Sequence, residues 1–365
     1  MWWILIGSVL IFTFYLVLVT IFYKGWRRMA VFVPKGDETI RTKISVIVAC
    51  RNERNHIRPL IACLAQQSFQ NFELILVNDH SVDATRNYIK SAQGTYPKIQ
   101  LVDAVGYGKK NSLKEGILIS SGELIITTDA DCMPSYHWLE TIACFYEKYP
   151  SDLIICPVKF SGKDNLFSNL QALEFTSLIA SGAGAAGAGM PVLCNGANLA
   201  FTKRSWLESQ SDIHVEQMSG DDIFLLESIK KRRGVIRFLK SESAFVSTEP
   251  SKTLTGFIKQ RRRWTSKSSA YTDWQLIFTA CVVFSVNLLL VILLSFSLSN
   301  PDFLFVFAAL FLSKYVVDAF FLNSVHAFFQ VNKVWIYSIL LSLIYPFYIV
   351  FITFSTLLFR PAKWK

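Results

Sequence analysis

Paired cysteines are missing from this sequence. Seven occur in 365 residues, an odd number, scattered and without any C-x-x-C spacing. That excludes a disulfide framework and a cysteine-based zinc site. Cys50, Cys132, Cys144, Cys156 and Cys194 stand in apolar or motif contexts and read as reduced, buried thiols of a cytoplasmic compartment. Charge is missing altogether from Trp2 to Tyr23. At about 1.5 Å per residue this run covers a hydrocarbon core of roughly 30 Å, and it lacks the polar face of a buried core helix. Positive charge follows the run, at Lys24, Arg27 and Arg28, instead of preceding it, which argues against a secretory signal peptide. The expectation is an uncleaved anchor of an inner (plasma) membrane, its C-terminal flank cytoplasmic. Stacking aromatics, Trp264 apart, are missing from the basic runs Lys230 to Arg233 and Gln260 to Lys267, where the net charge of +10 is concentrated. A nucleic-acid patch is thereby disfavoured against a lipid-headgroup or phosphate role.

What is present is apolar. A chain with 52% hydrophobic residues and 14% aromatics exceeds an ordinary soluble domain. The expected organisation is an N-terminal anchor over 1–24, a soluble α/β domain over 35–273 and apolar helices over 275–359. The last part divides into Leu276 to Leu298, Phe303 to Val325 and Val334 to Phe359, with breaks at Asn300-Pro301-Asp302 and Gln330 to Lys333. Lys314 and Asp318 sit one helical turn apart, so they are expected to pair inside the bundle instead of meeting lipid singly. Three spans after a cytoplasmic domain put Arg360, Lys363 and Lys365 outside, against the positive-inside tendency. Either the tail is an exception, or Pro346 breaks the last segment into a re-entrant hairpin.

Within the soluble part, Ile44 to Ala49 is a β-branched run that ends in polar residues 50–55 and is followed by a helical pattern from Ile57 to Gln67. Phe72 to Val77 repeats the device and ends in Asn78-Asp79-His80-Ser81. Alternating strands and helices imply a parallel sheet, whose ligands bind beyond the carboxyl ends of its strands. Asp79 stands at such an end, as a turn residue or as a ribose or base ligand. Leu124 to Thr128 is a third strand, emptying into Asp129-Ala130-Asp131. Two carboxylates one residue apart can share a hard divalent cation, which in turn bridges two phosphates. Gly106 to Lys110 precedes a helical stretch, and its lysines either reach a phosphate or are solvated.

These residues, in this order, resemble a membrane-bound, inverting family 2 glycosyltransferase with a GT-A catalytic domain. The likeness runs from about Ile44 to Trp264. It implies that the loop of Ala49, Arg51, Asn52 and Glu53, together with Asp79, holds the nucleoside. It further implies that Lys109 lies beside the phosphates, that Asp129 and Asp131 hold Mn2+ or Mg2+, and that Asn195 to Asn198 forms the sugar and acceptor side. Gly220-Asp221-Asp222 takes the place of the family's Glu-Asp pair, with Asp222 as the base. Gln260, Arg263 and Trp264 complete a Q-x-x-R-W motif, in which Arg263 would stabilise the leaving diphosphate and Trp264 would stack on sugar or acceptor. Arg261, Arg262 and Lys267 are expected to be a basic collar before the next span. The implied donor is a UDP-sugar and the implied acceptor a membrane lipid in the bilayer, with no nucleic acid involved. A processive polysaccharide synthase is the alternative; a polyprenyl-phosphate glycosyltransferase and a catalytically dead nucleotide-binding partner remain open. Few C-terminal spans favour the lipid acceptor, whereas Q-x-x-R-W pulls toward a polymer. The small-residue tract Ser181 to Gly189 reads as a lipid-admitting membrane face or as a flexible loop.

Overall fold

The computed structural model describes residues 2–35, 40–162, 164–210 and 221–358, with 2–4 and 221 as backbone only. Gly220, the side chain of Asp221, and the tail with Arg360, Lys363 and Lys365 lie outside the described residues. In chain order the elements are helix α1 (Trp2–Arg28), strand β1 (Ile44–Cys50), α2 (Ile57–Ala65), β2 (Phe72–Asn78), α3 (Thr85–Thr95) and β3 (Ile99–Asp103). Next come α4 (Lys109–Ile119), β4 (Leu124–Thr127), β5 (Met133–Pro134), α5 (Trp138–Lys148), β6 (Leu153–Ile155), β7 (Val158–Phe160) and α6 (Leu166–Gly187). They are followed by β8 (Leu199–Thr202), α7 (Lys203–Glu208), α8 (Asp221–Lys231), β9 (Ile236–Phe238) and β10 (Val246–Thr248). Four helices close the series: α9 (Leu254–Thr265), α10 (Trp274–Ser297), α11 (Asp302–Phe329) and α12 (Val334–Leu358).

Packing groups these elements into two compact units. One holds the strands with α2 to α5, α7 and α8; the other holds α1, α6 and α9 to α12. The segment Gly162–Val192 therefore packs with the apolar helices, although in sequence it lies inside the 35–273 run.

The first unit is built on a seven-stranded sheet in the order β3-β2-β1-β4-β8-β6-β9. Its first four strands run parallel, and β8 is antiparallel to both neighbours. Strand β1 is buried along its whole length, as its unbroken β-branched run requires of a strand covered on both faces. Helix α2 buries Ile57, Leu60, Ile61 and Leu64, one stripe at helical spacing. Register places Cys50 beside Asn78 and Ile47 beside Thr127, so β1, β2 and β4 deliver their following residues to one edge. A small sheet, β5-β10-β7, accompanies the main one.

In the second unit α1, α10, α11 and α12 are long and apolar enough to cross a membrane. Pro346 lies inside α12, which continues unbroken to Leu358, so the re-entrant alternative does not hold. Lys314 pairs with Asp318 at 2.6 Å, and Asp318 also accepts from the Tyr15 hydroxyl of α1. Of the tract Ser181 to Gly189, expected as a lipid-admitting membrane face or a flexible loop, Ser181 to Gly187 is the last third of α6 and packs against α1, so the loop alternative does not hold there. A Cβ on Gly184 would stand 2.3 Å from the Phe22 carbonyl oxygen, and one on Gly25 would stand 1.9 Å from the Gly184 carbonyl oxygen. Small residues here let two backbones touch, the usual device where apolar helices gain nothing from leaving water.

Gly184→Ala is accordingly expected to destabilise the detergent-solubilised protein by about 1–3 kcal/mol, the range of an overpacked contact. Gly94→Ala, at a position with nothing within 4 Å, is the control and should be neutral or slightly stabilising. Thermal midpoints of the two variants check both outcomes.

Candidate active site

The carboxyl ends of β1 and β2 meet at Asp79. Its N–H donates to the Cys50 carbonyl at 2.8 Å, and its carboxylate is fully buried. A buried charge needs donors. Both oxygens accept the Gly108 N–H at 3.1 Å; Arg51 Nη1 lies at 3.4 Å and His80 Nδ1 at 3.2 Å. Gly108 is at φ +94° and opens α4, so the amide it aims at Asp79 sits at a positive helix end. Asn52 and His80 also take left-handed backbone, at φ +58° and +52°, a conformation that Asn and His accept more readily than most residues. The His80 ring stacks on Tyr107, with centroids 3.9 Å apart.

The loop after β1 is stitched to the loop after β2. The Asn52 N–H donates to Ser81 Oγ at 3.1 Å, and Asn52 Oδ1 accepts from the Val82 N–H at 3.0 Å. The Glu53 N–H donates to Thr85 Oγ1 at 2.8 Å, while the Glu53 carboxylate faces His56 Nδ1 at 2.8 Å. Ala49 pairs with Val77 and lies beyond the last β1–β4 register pair. Ala49, Arg51, Asn52, Glu53 and Asp79 are thus brought together.

Beyond β4, ligand atoms of Asp129, Asp131 and Cys132 lie within 4.8 Å of one another. Lys109 pairs with Asp129. Asp131 is solvent-exposed, yet its carboxyl sits among dense protein. That loss of water, then the charges of Asp129 and Glu53, push its pKa up against the opposing pull of Lys109 and His56. Burial, then the charges of Asp129 and Asp131, raises the Cys132 thiol as well. The two carboxylates offer oxygen donors, which suit a hard ion such as Mn2+ or Mg2+.

Asp222 stands in the first turn of α8. Its Oδ2 accepts the Gly196 N–H at 3.0 Å and its Oδ1 the Ile223 N–H at 2.9 Å. The Gly196 carbonyl accepts from Thr127 Oγ1 at 3.0 Å, which ties Asp222 to the end of β4, just ahead of Asp129. Asn198, in the loop that the resemblance places on the sugar side, is buried. It donates to the carbonyls of Pro157 and Ala244 at 2.7 and 2.9 Å and accepts from Trp138 Nε1 at 2.9 Å, a scaffold role. The contacts of His80, Tyr107 and Thr127 at this edge were not visible in the sequence, whereas Gly108 and Gly196 fall inside the 106–110 and 195–198 stretches already singled out.

Gln260, Arg263 and Trp264 lie on α9, in the other unit. Arg261, expected in a solvated collar, is instead buried and paired with Glu174. Gln260 Oε1 accepts from Arg261 Nη1 at 2.7 Å, and the guanidinium lies 4.3 Å from the Trp264 ring centroid.

Comparison with known proteins bears on the fold and the family. Residues 45–209 match the family described as Glycosyl transferase family 2. An uncharacterized glycosyltransferase of Haemophilus influenzae is 30% identical over 106 residues, covering 29% of this chain and 33% of that protein. A poly-beta-1,6-N-acetyl-D-glucosamine synthase of Staphylococcus epidermidis is 27% identical over 143 residues, covering 37% and 33%. The matches thus span about a third of the length of these curated relatives. Among solved structures, the mannosyltransferase PcManGT from Pyrobaculum calidifontis, in complex with GDP-Man and Mn2+, aligns with 97% of this chain and 96% of its own. The TM-score is 0.58 at 16% identity, a likeness of fold. The α/β unit is GT-A-like, joined to one N-terminal and three C-terminal apolar helices.

Titration with Mn2+ is expected to show binding that Asp131→Asn weakens about tenfold or more, as the loss of a charged oxygen ligand implies. Proton and cation compete for Asp131, so affinity should fall as pH is lowered through its raised pKa. Calorimetry at two pH values checks both effects.

Proposed function

We propose that this chain, which carries a Glycosyl transferase family 2 domain, moves a sugar from a nucleotide-sugar to a hydroxyl of a membrane-lipid acceptor by one inverting displacement. The observation that carries the reading is Asp222, held through Gly196 and Thr127 to the strand end that bears Asp129 and Asp131. In such a transfer the acceptor oxygen bonds to the anomeric carbon as the bond from that carbon to the diphosphate oxygen breaks. The hydroxyl proton needs a base, and the diphosphate leaves with the electron pair. Asp222 is that base. Its Oδ2 accepts the Gly196 N–H and its Oδ1 the Ile223 N–H, which orients the carboxylate.

Asp129 and Asp131 would hold the divalent ion, which supplies positive charge to the departing diphosphate. Lys109, beside Asp129, adds a second cation there. Asp79, Arg51, Asn52, Glu53 and the backbone at Ala49 bind the nucleoside of a UDP-sugar, with the His80–Tyr107 stack as a flat wall beside them. The resemblance assigns Gln260, Arg263 and Trp264 to the same reaction, with Arg263 on the diphosphate. Lys24, Arg27 and Arg28, at the end of α1, support a cytoplasmic catalytic domain. The apolar helices joined to the domain support an acceptor that resides in the bilayer. A second reading, repeated addition to a growing polysaccharide, is favoured by the identity with the N-acetylglucosamine polymer synthase.

The test places the protein in anionic-lipid vesicles with Mn2+ or Mg2+ and a panel of UDP- and GDP-sugars, with products read by mass spectrometry. A single glycosyl unit on lipid is expected, with Asp222→Asn slower by about 10²–10⁴-fold, the range of general-base catalysis, and nucleotide binding retained. A ladder of sugars selects the polymer reading. Bound nucleotide with no transfer from any donor overturns the enzymatic one.

A further inference from the structure

A buried ion pair in the apolar unit has no part in the roles given above. Glu174, midway along α6, is 7% exposed, and Arg261, on α9, is 3% exposed. Arg261 Nε donates to Glu174 Oε1 at 3.2 Å and Nη2 donates to Oε2, a bidentate pair. The Tyr348 hydroxyl of α12 donates to Glu174 Oε1 at 3.1 Å. The guanidinium donates its other edge to Gln260 and lies over the rings of Trp264 and Phe257, at 4.3 and 4.7 Å.

Adhesion alone does not account for such a pair. Desolvating two charges offsets most of their attraction, and apolar residues of equal volume would join the helices as well. What a bidentate guanidinium adds is orientation, because its planar fork fixes the rotation of α9 about its own axis. Along α9, Gln260, Arg263 and Trp264 share one stripe, and Arg263 stands roughly 200° around the helix from Arg261. Turning Arg261 inward therefore turns Arg263 the opposite way. Gln260 and Trp264, which lie between the two around the helix, both contact the Arg261 guanidinium.

We infer that Glu174 is a positioning residue: through Arg261 it sets the rotation of α9 that presents Arg263, and Tyr348 ties that setting to α12. The inference rests on the glycosyl-transfer reading and adds to it a residue from outside the Q-x-x-R-W motif.

The experiment compares the full chain, Glu174→Gln, Glu174→Asp, Arg263→Ala and the double variant Glu174→Gln/Arg263→Ala in vesicles. It reads kcat, donor KM, thermal midpoint and hydrogen exchange over residues 254–265. Glu174→Gln is expected to keep donor KM within about twofold and to lose about 10- to 100-fold in kcat, the scale of a slightly misplaced catalytic group. Exchange over 254–265 should rise selectively, and Glu174→Asp should recover part of the rate. The double variant should be no slower than Arg263→Ala, since both changes act through one guanidinium. Losses that multiply in the double variant, or an unchanged kcat per folded molecule in Glu174→Gln, would overturn the inference. If Glu174→Gln does not fold, Tyr348→Phe poses the same question more mildly: a smaller loss in kcat, absent in the Arg263→Ala background, supports it, and a loss that persists there sinks it. A wild type that transfers nothing removes the transfer reading, whereas unchanged exchange over 254–265 removes the anchor, so the two fail separately.

Discussion

Crowding acidic side chains at one end of a parallel sheet is the constraint on which the rest of this molecule depends. Two like charges about 4 Å apart repel by roughly 4 kcal/mol at the effective dielectric of a protein surface, comparable with the whole stability of a domain, about 5–15 kcal/mol. The fold answers by giving most carboxylates a dedicated partner. Asp79 has Arg51 and the Gly108 amide, Asp129 has Lys109, Glu53 has His56, and Asp222 has the Gly196 amide. Asp131 has a raised pKa, from loss of water first and then from the charges of Asp129 and Glu53. On the proposed function, a divalent ion held by Asp129 and Asp131 would offset that charge.

The apolar unit solves a different problem. Helices surrounded by lipid gain little from hydrophobic burial against one another, so they associate through close contact and paired polar groups. Gly25 and Gly184 supply the contact between α1 and α6. Tyr15, Asp318 and Lys314 supply one polar junction, and Glu174, Arg261 and Tyr348 another. Tyr345, one turn before Tyr348, lies 5.3 Å from the Lys314 ammonium, so the two junctions are neighbours along α12.

Much of the α/β architecture was legible in the residues because its strands are short, β-branched and punctuated. Ile44 to Ala49, Phe72 to Val77 and Leu124 to Thr128 agree with the observed strands to within one residue. Whereas Asp222 stands in the first turn of α8, the positions of Asp79, Asp129 and Asp131 were legible because each follows a strand. Arg261 was not: within Arg261-Arg262-Arg263 nothing local distinguishes a buried guanidinium from solvated ones, and its partner lies 87 residues away. In Ser181 to Gly189 the flexible-loop alternative fails over Ser181 to Gly187, which is helical, because small residues mean flexibility in water but close packing between apolar helices. The burial of Asn198 was not legible either, because its partners, Trp138, Pro157 and Ala244, are all distant in sequence.

The central claim is that one carboxylate, Asp222, deprotonates an acceptor in a single displacement at this edge of the sheet. The anomeric configuration of the first-formed product, read by NMR from an α-linked nucleotide-sugar, tests it most directly. The account predicts a β-linked sugar. An α-linked product would require two displacements or a front-face departure, and would contradict the role given to Asp222.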